Sequence, residues 1–199
     1  LRSPMVAWPL TVLMSCPTTD GSACLIMCRA EDAKKYNKDY VLVKGHGFSV
    51  STGWDLPFYD PHHSFTGYRA TQVASRKAMK DAGIENPRKE LSMMEVHDCF
   101  ASVELLTYED VGICKRGEGG KLVEEGVTAA GGDVPVNLSG GLLSCGHPVG
   151  ATGLRMLYEI TRQFQGKAGK RQVSDPKFGL AHNIGGPGAV SSVTILGSR

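Results

Sequence analysis

The sequence predicts an α/β domain, a mixed β-sheet flanked by helices in layers. Three observations lead there. From about residue 40 onward, apolar runs of strand length alternate with helical periodicities in the order β-α-β-α-β-α-β-β. Alanine recurs at 70, 74, 78 and 82, and small side chains at that spacing let a helix lie close against a sheet. Glycine supplies 25 of 199 residues, well above the usual share of about 7%, and concentrates between Gly112 and Gly197. There it marks tight turns and close backbone approaches rather than a linker.

Residues 5–15 are apolar around Pro9 and run into a turn signal, Pro17-Thr18-Thr19-Asp20-Gly21. Residues 22–28 form a continuous apolar run, the pattern of a strand buried on both faces. A short helix is expected over 31–36 and a strand over 40–43. Residues 45–65, with Gly53, Pro57, Pro61 and the pair His62-His63, read as a long functional or partner-facing loop. Its two histidines read as surface or interface residues. Thr66 is the expected N-cap of the first long helix, which Gly83 ends. A strand over 91–96 leads to a helix over 103–108 and a charged, Gly-rich loop over 115–133. A short strand over 134–138 precedes a helix from 152 with Leu154, Leu157, Thr161 and Phe164 on one face. Residues 178–196 are two apolar runs broken by glycines, a hairpin. The first 35 residues read as the tail of a different domain, and no internal repeat is legible.

Composition excludes several classes. A hydrophobic share of 41% with 21% charged residues supports a packed core and excludes intrinsic disorder. No apolar run reaches the roughly 18 residues that a spanning helix needs. A net charge of +2 without a basic stripe argues against nucleic acid as a partner. Six scattered cysteines (16, 24, 28, 99, 114 and 145) form no pair of Cys-x-x-Cys units. They read as reduced thiols in an intracellular compartment, most of them small buried hydrophobes. A start at Leu1, without Met or a signal peptide, reads as a piece of something longer.

Three histidines stand at turns that follow strands, the positions that open α/β sheets gather at one edge. His97 ends a strand, and Cys99 lies two residues on, at a helix start where the dipole and free N–H groups favour a thiolate. His147 sits in a bend of glycines with Pro148. His182 precedes Asn183 and glycines whose N–H groups could hold an oxyanion. Singly, these are a structural histidine, a buried thiol and a turn; together they point to one site. No element carries a two-histidine ligand unit, so no metal is expected.

His97-Asp98-Cys99-Phe100, Gly146-His147-Pro148-Val149-Gly150-Ala151-Thr152-Gly153 and His182-Asn183-Ile184-Gly185 resemble the three C-terminal motifs of thiolases. The sterol carrier protein type is the nearest match. In most other thiolases the first motif reads Asn-Glu-Ala-Phe and the third begins with Cys; here the first supplies Cys99 and the third begins with His182. The segment from Ser15 to Cys28 also resembles the last strand of the family's N-terminal domain. The resemblance covers essentially the whole chain. It implies a thiolase-like layered fold, with residues 1–38 ending an N-terminal thiolase domain and 39–199 forming the C-terminal one. The family's nucleophilic cysteine lies in the N-terminal domain and matches no segment here, Cys16 being in the wrong motif. By itself the chain is expected to be inactive, with the N-terminal half as its missing partner.

The resemblance further implies cleavage of 3-oxoacyl-CoA, or the reverse condensation, in lipid or sterol side-chain metabolism. Coenzyme A is then a substrate, and no cofactor is implied. Cys99 would serve the α-carbon proton. His147 Nε2, helped by His97, would donate to the thioester oxyanion. His182 would tune or deprotonate the reactive thiols, and backbone N–H groups near Asn183 and Gly185 would complete a second oxyanion site. A homodimer or higher oligomer is implied, in peroxisomes or mitochondria, or in the cytoplasm of a bacterium. Two alternatives stand beside this: a retro-aldol lyase acting on steroid-derived CoA thioesters without an acyl-enzyme, and a noncatalytic lipid-binding or assembly subunit. The sequence upstream of Leu1 discriminates between them.

Overall fold

The computed structural model describes residues 3–51 and 66–198. His62, His63 and most of the expected 45–65 loop lie outside the described residues. The first forty residues hold little regular structure: a small antiparallel ribbon of β1 (Met5–Ala7) and β2 (Leu10–Thr11), and one helical turn, α1 (Ala33–Tyr36). Residues 22–28, expected as a buried strand, form none. Ile26 is 95% exposed and Met27 79%. A strand buried on both faces needs hydrogen-bonded neighbours, and no described strand pairs with this run.

β3 (Leu42–Val50) starts near the expected strand but runs on through residues expected as loop. It pairs antiparallel with the last strand of the chain from Leu42↔Gly197 to Val50↔Val190. Gly45 and Gly47, within the stretch expected as a loop, are the places where the next helix touches the sheet. A Cβ at either would run into a backbone carbonyl, that of Ala78 or Ala74. This helix, α2 (Arg69–Ala82), ends at Gly83 in the left-handed region as expected. Its N-cap, however, is Tyr68 rather than Thr66, and no side chain caps it. The buried Asp110 carboxylate instead accepts from the Tyr68 N–H at 2.6 Å.

A turn of helix, α3 (Pro87–Glu90), leads into β4 (Met93–Glu95) and then α4 (Ala101–Val111). The expected 115–133 loop contains a further helix, α5 (Gly119–Glu124). Residues 134–138 are not a strand. They make one parallel bridge, Met94↔Val136, with Met94 N–H on the Pro135 carbonyl and Asn137 N–H on that of Met94, both at 2.9 Å. Pro135 offers no N–H for a ladder, and Asn137, at φ 50°, turns the chain away. A short helix, α6 (Gly141–Cys145), then precedes α7 (Thr152–Phe164). The hairpin is as expected: β5 (Phe178–Gly185) and β6 (Val190–Gly197).

The sheet order is β3-β6-β5-β4, antiparallel except for the parallel β4–β5 pair. Helices cover both faces. Ala74, Ala78, Leu180, Val193 and Ile195 belong to the core on the α2 side, and Met93, Met156, Ile160, Ala181 and Leu196 to the core on the α7 side. The buried face of α7 is Thr152, Met156, Ile160 and Gln163, one position round from the expected stripe, and Leu154 is 37% exposed. Among the described residues no helix is long and apolar enough to cross a membrane.

Candidate active site

Parallel pairing of β4 with β5, from Met93↔Gly179 to Glu95↔Ala181, brings the residues after β4 out beside the second half of β5. His97 arrives there on the α7 side. It is 4% exposed, and the Asn183 side chain hydrogen-bonds its ring. The His147 ring meets it edge-on, with centroids 4.8 Å apart and an interplanar angle of 85°. Two expected site residues far apart in the chain are therefore in contact.

Asp98 makes that contact reproducible. Its carboxylate is buried and accepts from the Leu142 N–H at 2.7 Å and the Leu143 N–H at 3.4 Å, at the start of α6. The His97 segment is thus fastened to the helix that delivers His147. Gly146 then turns the chain at φ 82°, and a Cβ there would collide with Thr19. Upstream of α6, the buried Glu95 carboxylate holds Ser139 through its N–H at 3.1 Å and hydroxyl at 2.6 Å. Burial pushes Glu95 up to about 7, against the lowering effect of both Ser139 bonds.

His147 is tethered through its Nδ1, which lies 2.7 Å from the Thr152 hydroxyl. That hydroxyl donates to the Pro148 carbonyl at 3.1 Å, which also accepts from the Ala151 and Thr152 N–H groups at 2.8 and 3.0 Å, so the ring is fixed to the first turn of α7. Burial pushes the His147 pKa down, as does the Arg155 charge, while Asp98 raises it.

His182 comes from the other direction. It was expected in a glycine-rich bend but lies within β5 and is 0% exposed. Successive strand residues face opposite ways, so Asn183 serves the α7 side while His182 faces α2. There its Nε2 meets the Thr71 hydroxyl at 3.0 Å. Burial first, and then the neighbouring His97, pushes His182 down to about 3. Burial and His147 hold His97 down at about 4, despite the Asn183 bond. Both rings are neutral at neutral pH.

Cys99 does not carry the thiolate that its helix-start position suggested. It precedes Phe100, the N-cap of α4, and burial pushes its thiol up to about 11, helped by Cys16 and Asp98. Desolvation outweighs the backbone N–H bonds that favour the anion. Cys16 is its cross-strand neighbour: Ser15 bridges Phe100 antiparallel, and the Cys16 N–H donates to the Cys99 carbonyl at 2.9 Å. An open cavity of about 450 Å³ lies between residues 16–21 and 147–150, lined among others by Cys16, Thr19, His147 and Pro148. Of the expected site residues His147 lines it; His97, Cys99 and His182 do not, His97 touching the His147 ring, Cys99 accepting from the Cys16 N–H, and His182 lying on the α2 side. Gly185 closes β5 at the exposed start of the hairpin turn, about 10 Å along the strand from His182. Among the described residues no group of three or more His, Cys, Asp or Glu could hold a metal ion.

Asp98, Thr152 and Thr71 escaped the sequence reading as working residues. Asp98 carried a signal, since it lies inside the first motif. Thr152 carried one too, since it shares the second motif with its partner His147; Thr71 carried none, because its partners lie on other segments. Cys16 was weighed only as a nucleophile, and its place beside Cys99 depends on a pairing across more than 80 residues.

Comparison with known proteins gives the family. A family model described as "Thiolase C-terminal domain-like" matches residues 59–198. An "Acetyl-CoA acetyltransferase" of Methanothermobacter thermautotrophicus is 41% identical over 196 residues, which is 98% of this chain and 50% of that protein. "Sterol carrier protein 2" of Homo sapiens is 40% identical over 184 residues, 91% of this chain and 33% of that protein. A solved structure, "Ltp2-ChsH2(DUF35) aldolase", superposes with a TM-score of 0.81 at 23% identity, over 99% of this chain and 50% of that one, a likeness of fold. The chain thus spans between a third and a half of the length of these relatives. Matched by that model over more than two thirds of its length, with its motifs folded into one place, the chain belongs to the thiolase family.

Proposed function

We propose that the protein, completed by the portion of the polypeptide that carries the acylated thiol, cleaves 3-oxoacyl-CoA thioesters with coenzyme A or runs the reverse condensation. Residues 1–38 then end the N-terminal thiolase domain and 39–199 form the C-terminal one, which alone does not turn over. The observation that carries the proposal is the edge contact of His97 with His147 at the rim of an open cavity.

Each part has a task. A thiolate from the completing portion attacks the 3-oxo carbon and becomes acylated. The bond between the α- and β-carbons breaks, and its electron pair forms the enolate of the departing acyl-CoA. His147 Nε2–H donates to the thioester oxygen as that charge develops. Neutral His97, in edge contact with His147, keeps the pair from carrying two charges. The Cys99 thiol, protonated at neutral pH, gives its proton to the α-carbon. Coenzyme A then takes the acyl group from the enzyme thiol as the second substrate. Cys99 reaches substrate past Cys16, which lines the cavity.

The test uses the full-length protein with a 3-oxoacyl-CoA and free coenzyme A. The expected products are acetyl-CoA and an acyl-CoA two carbons shorter. His147→Ala is expected to lower kcat about 10²- to 10³-fold, the usual cost of losing one oxyanion donor. Cleavage of a 3-hydroxyacyl-CoA to an aldehyde or ketone without uptake of coenzyme A would instead support the lyase. Binding of acyl-CoA with neither reaction would support the noncatalytic subunit.

A further inference from the structure

Behind His97 lies a hydrogen-bonded group of three polar side chains, with Ser75 the next buried hydroxyl along the same face of α2. Thr71 on α2, His182 on β5 and Ser191 on β6 are each 0% exposed. His182 Nε2 is 3.0 Å from the Thr71 hydroxyl, and Thr71 donates its own proton to the Ser191 hydroxyl at 3.2 Å. The other ring nitrogen, Nδ1, is buried and hydrogen-bonded to nothing. Burying three polar groups where α2 meets the sheet costs stability unless each is paired. Two alanines could fill the same space, so packing alone does not account for them.

A neutral imidazole carries one N–H, and its position decides which nitrogen can accept a proton. Thr71 has a single hydroxyl proton. If it goes to Ser191, the bond at 3.0 Å needs the His182 proton on Nε2, and Nδ1 keeps a free lone pair. If instead Ser191 donates to Thr71 and Thr71 to Nε2, the ring proton moves to Nδ1 and becomes a buried N–H without an acceptor. Orphaned N–H groups are the rarer and costlier state in protein interiors. The first arrangement wins.

We propose that Thr71 is a positioning residue that, through Ser191, fixes His182 as the Nε2–H tautomer with Nδ1 as a bare acceptor. The site then holds His182 as an acceptor, set by a threonine on the helix of its own side. The acceptor serves the proton of a reacting thiol. This role in the reaction rests on the proposed function, whereas the tautomer itself does not.

The experiment is ¹⁵N NMR of histidine-labelled full-length protein, paired with CoA-dependent cleavage of a 3-oxoacyl-CoA. In the wild type, the His182 signals are expected to show Nε2 protonated and Nδ1 bare. Ser191→Ala frees the Thr71 proton to donate to Nε2 and is expected to move the His182 proton to Nδ1. Thr71→Val is expected to mix the two forms and to lower kcat at least about tenfold with little change in KM, with Thr71→Ser restoring both. Should Thr71→Val fail to fold, Ser191→Ala and Thr71→Ser still decide the matter. A wild-type His182 protonated on Nδ1, or a tautomer untouched by Ser191→Ala, overturns the proposal. The expected tautomers without turnover of any 3-oxoacyl-CoA would leave the tautomer assignment standing and remove the proposed function instead.

Discussion

A histidine that stays neutral inside a protein shows it in the pH dependence of stability. His182 lies near 3 and His97 near 4, both below the ordinary value of about 6.5. Below 6.5 the unfolded chain binds protons that these two folded sites refuse. Their contribution is therefore present above 6.5 and lost as pH falls toward 4 and 3. Glu95 acts the other way: held up at about 7, it contributes fully below the ordinary carboxylate range, and that contribution is lost as pH rises through 7. The two trends overlap, so the test is a difference. His182→Asn removes one refused proton, and the stability gap to wild type in urea titrations is expected to narrow from pH 7 to 4, by up to about 1.4 kcal/mol per pH unit. A gap that does not change with pH would contradict the buried neutral imidazole. His97, Cys99, His147 and His182 were legible in the sequence because their residue types and their turns are unusual. Thr71 was not, because its hydroxyl's task depends on what segments more than 100 residues away set beside it.

The fate of the glycines shows how an element is misread. Gly45 and Gly47 fall in the expected loop, yet they sit in β3, where α2 passes over them with no room for a Cβ. Gly47→Ala would push a methyl into the Ala74 carbonyl and force the helix off the sheet, a cost of about 1–3 kcal/mol typical of overpacking. Gly120, in α5, has open space at the same position and a normal φ. Gly120→Ala is expected to stabilise by about 0.5–1 kcal/mol. Urea midpoints of the two variants check both, and an unchanged Gly47→Ala would refute the close approach. Local pattern also failed where a strand needs a partner: residues 22–28 have the right composition and no neighbour, and 134–138 are stopped by Pro135 and Asn137. Where an element carries its own stop, as α2 does at Gly83, the sequence predicted it well.

On the scale of the molecule, the layered α/β class was legible because it rests on the alternation of elements, which survives errors at their ends. The joining of residues 16–21 to 147–150 around the cavity was not, since it depends on packing between distant segments. Trp8 is 85% exposed and Ile26 95%, and this apolar surface supports the proposal that residues 1–38 complete another domain. In the full-length protein both side chains are expected to be shielded, which solvent quenching of Trp8 fluorescence would check after replacement of Trp54. Equal quenching in the full-length protein and the 199-residue chain would contradict that division.

In the proposed thiolase-type site Cys99 handles the α-carbon proton. Deuterium exchange at the α-carbon of an acyl-CoA by the full-length protein, wild type against Cys99→Ala, with thermal midpoints alongside, tests this step directly. Exchange is expected to fall about 10²- to 10⁴-fold in the variant while the fold is kept and acylation of the nucleophilic thiol largely survives. Undiminished exchange in Cys99→Ala would contradict it and assign the proton to another residue, His182 first.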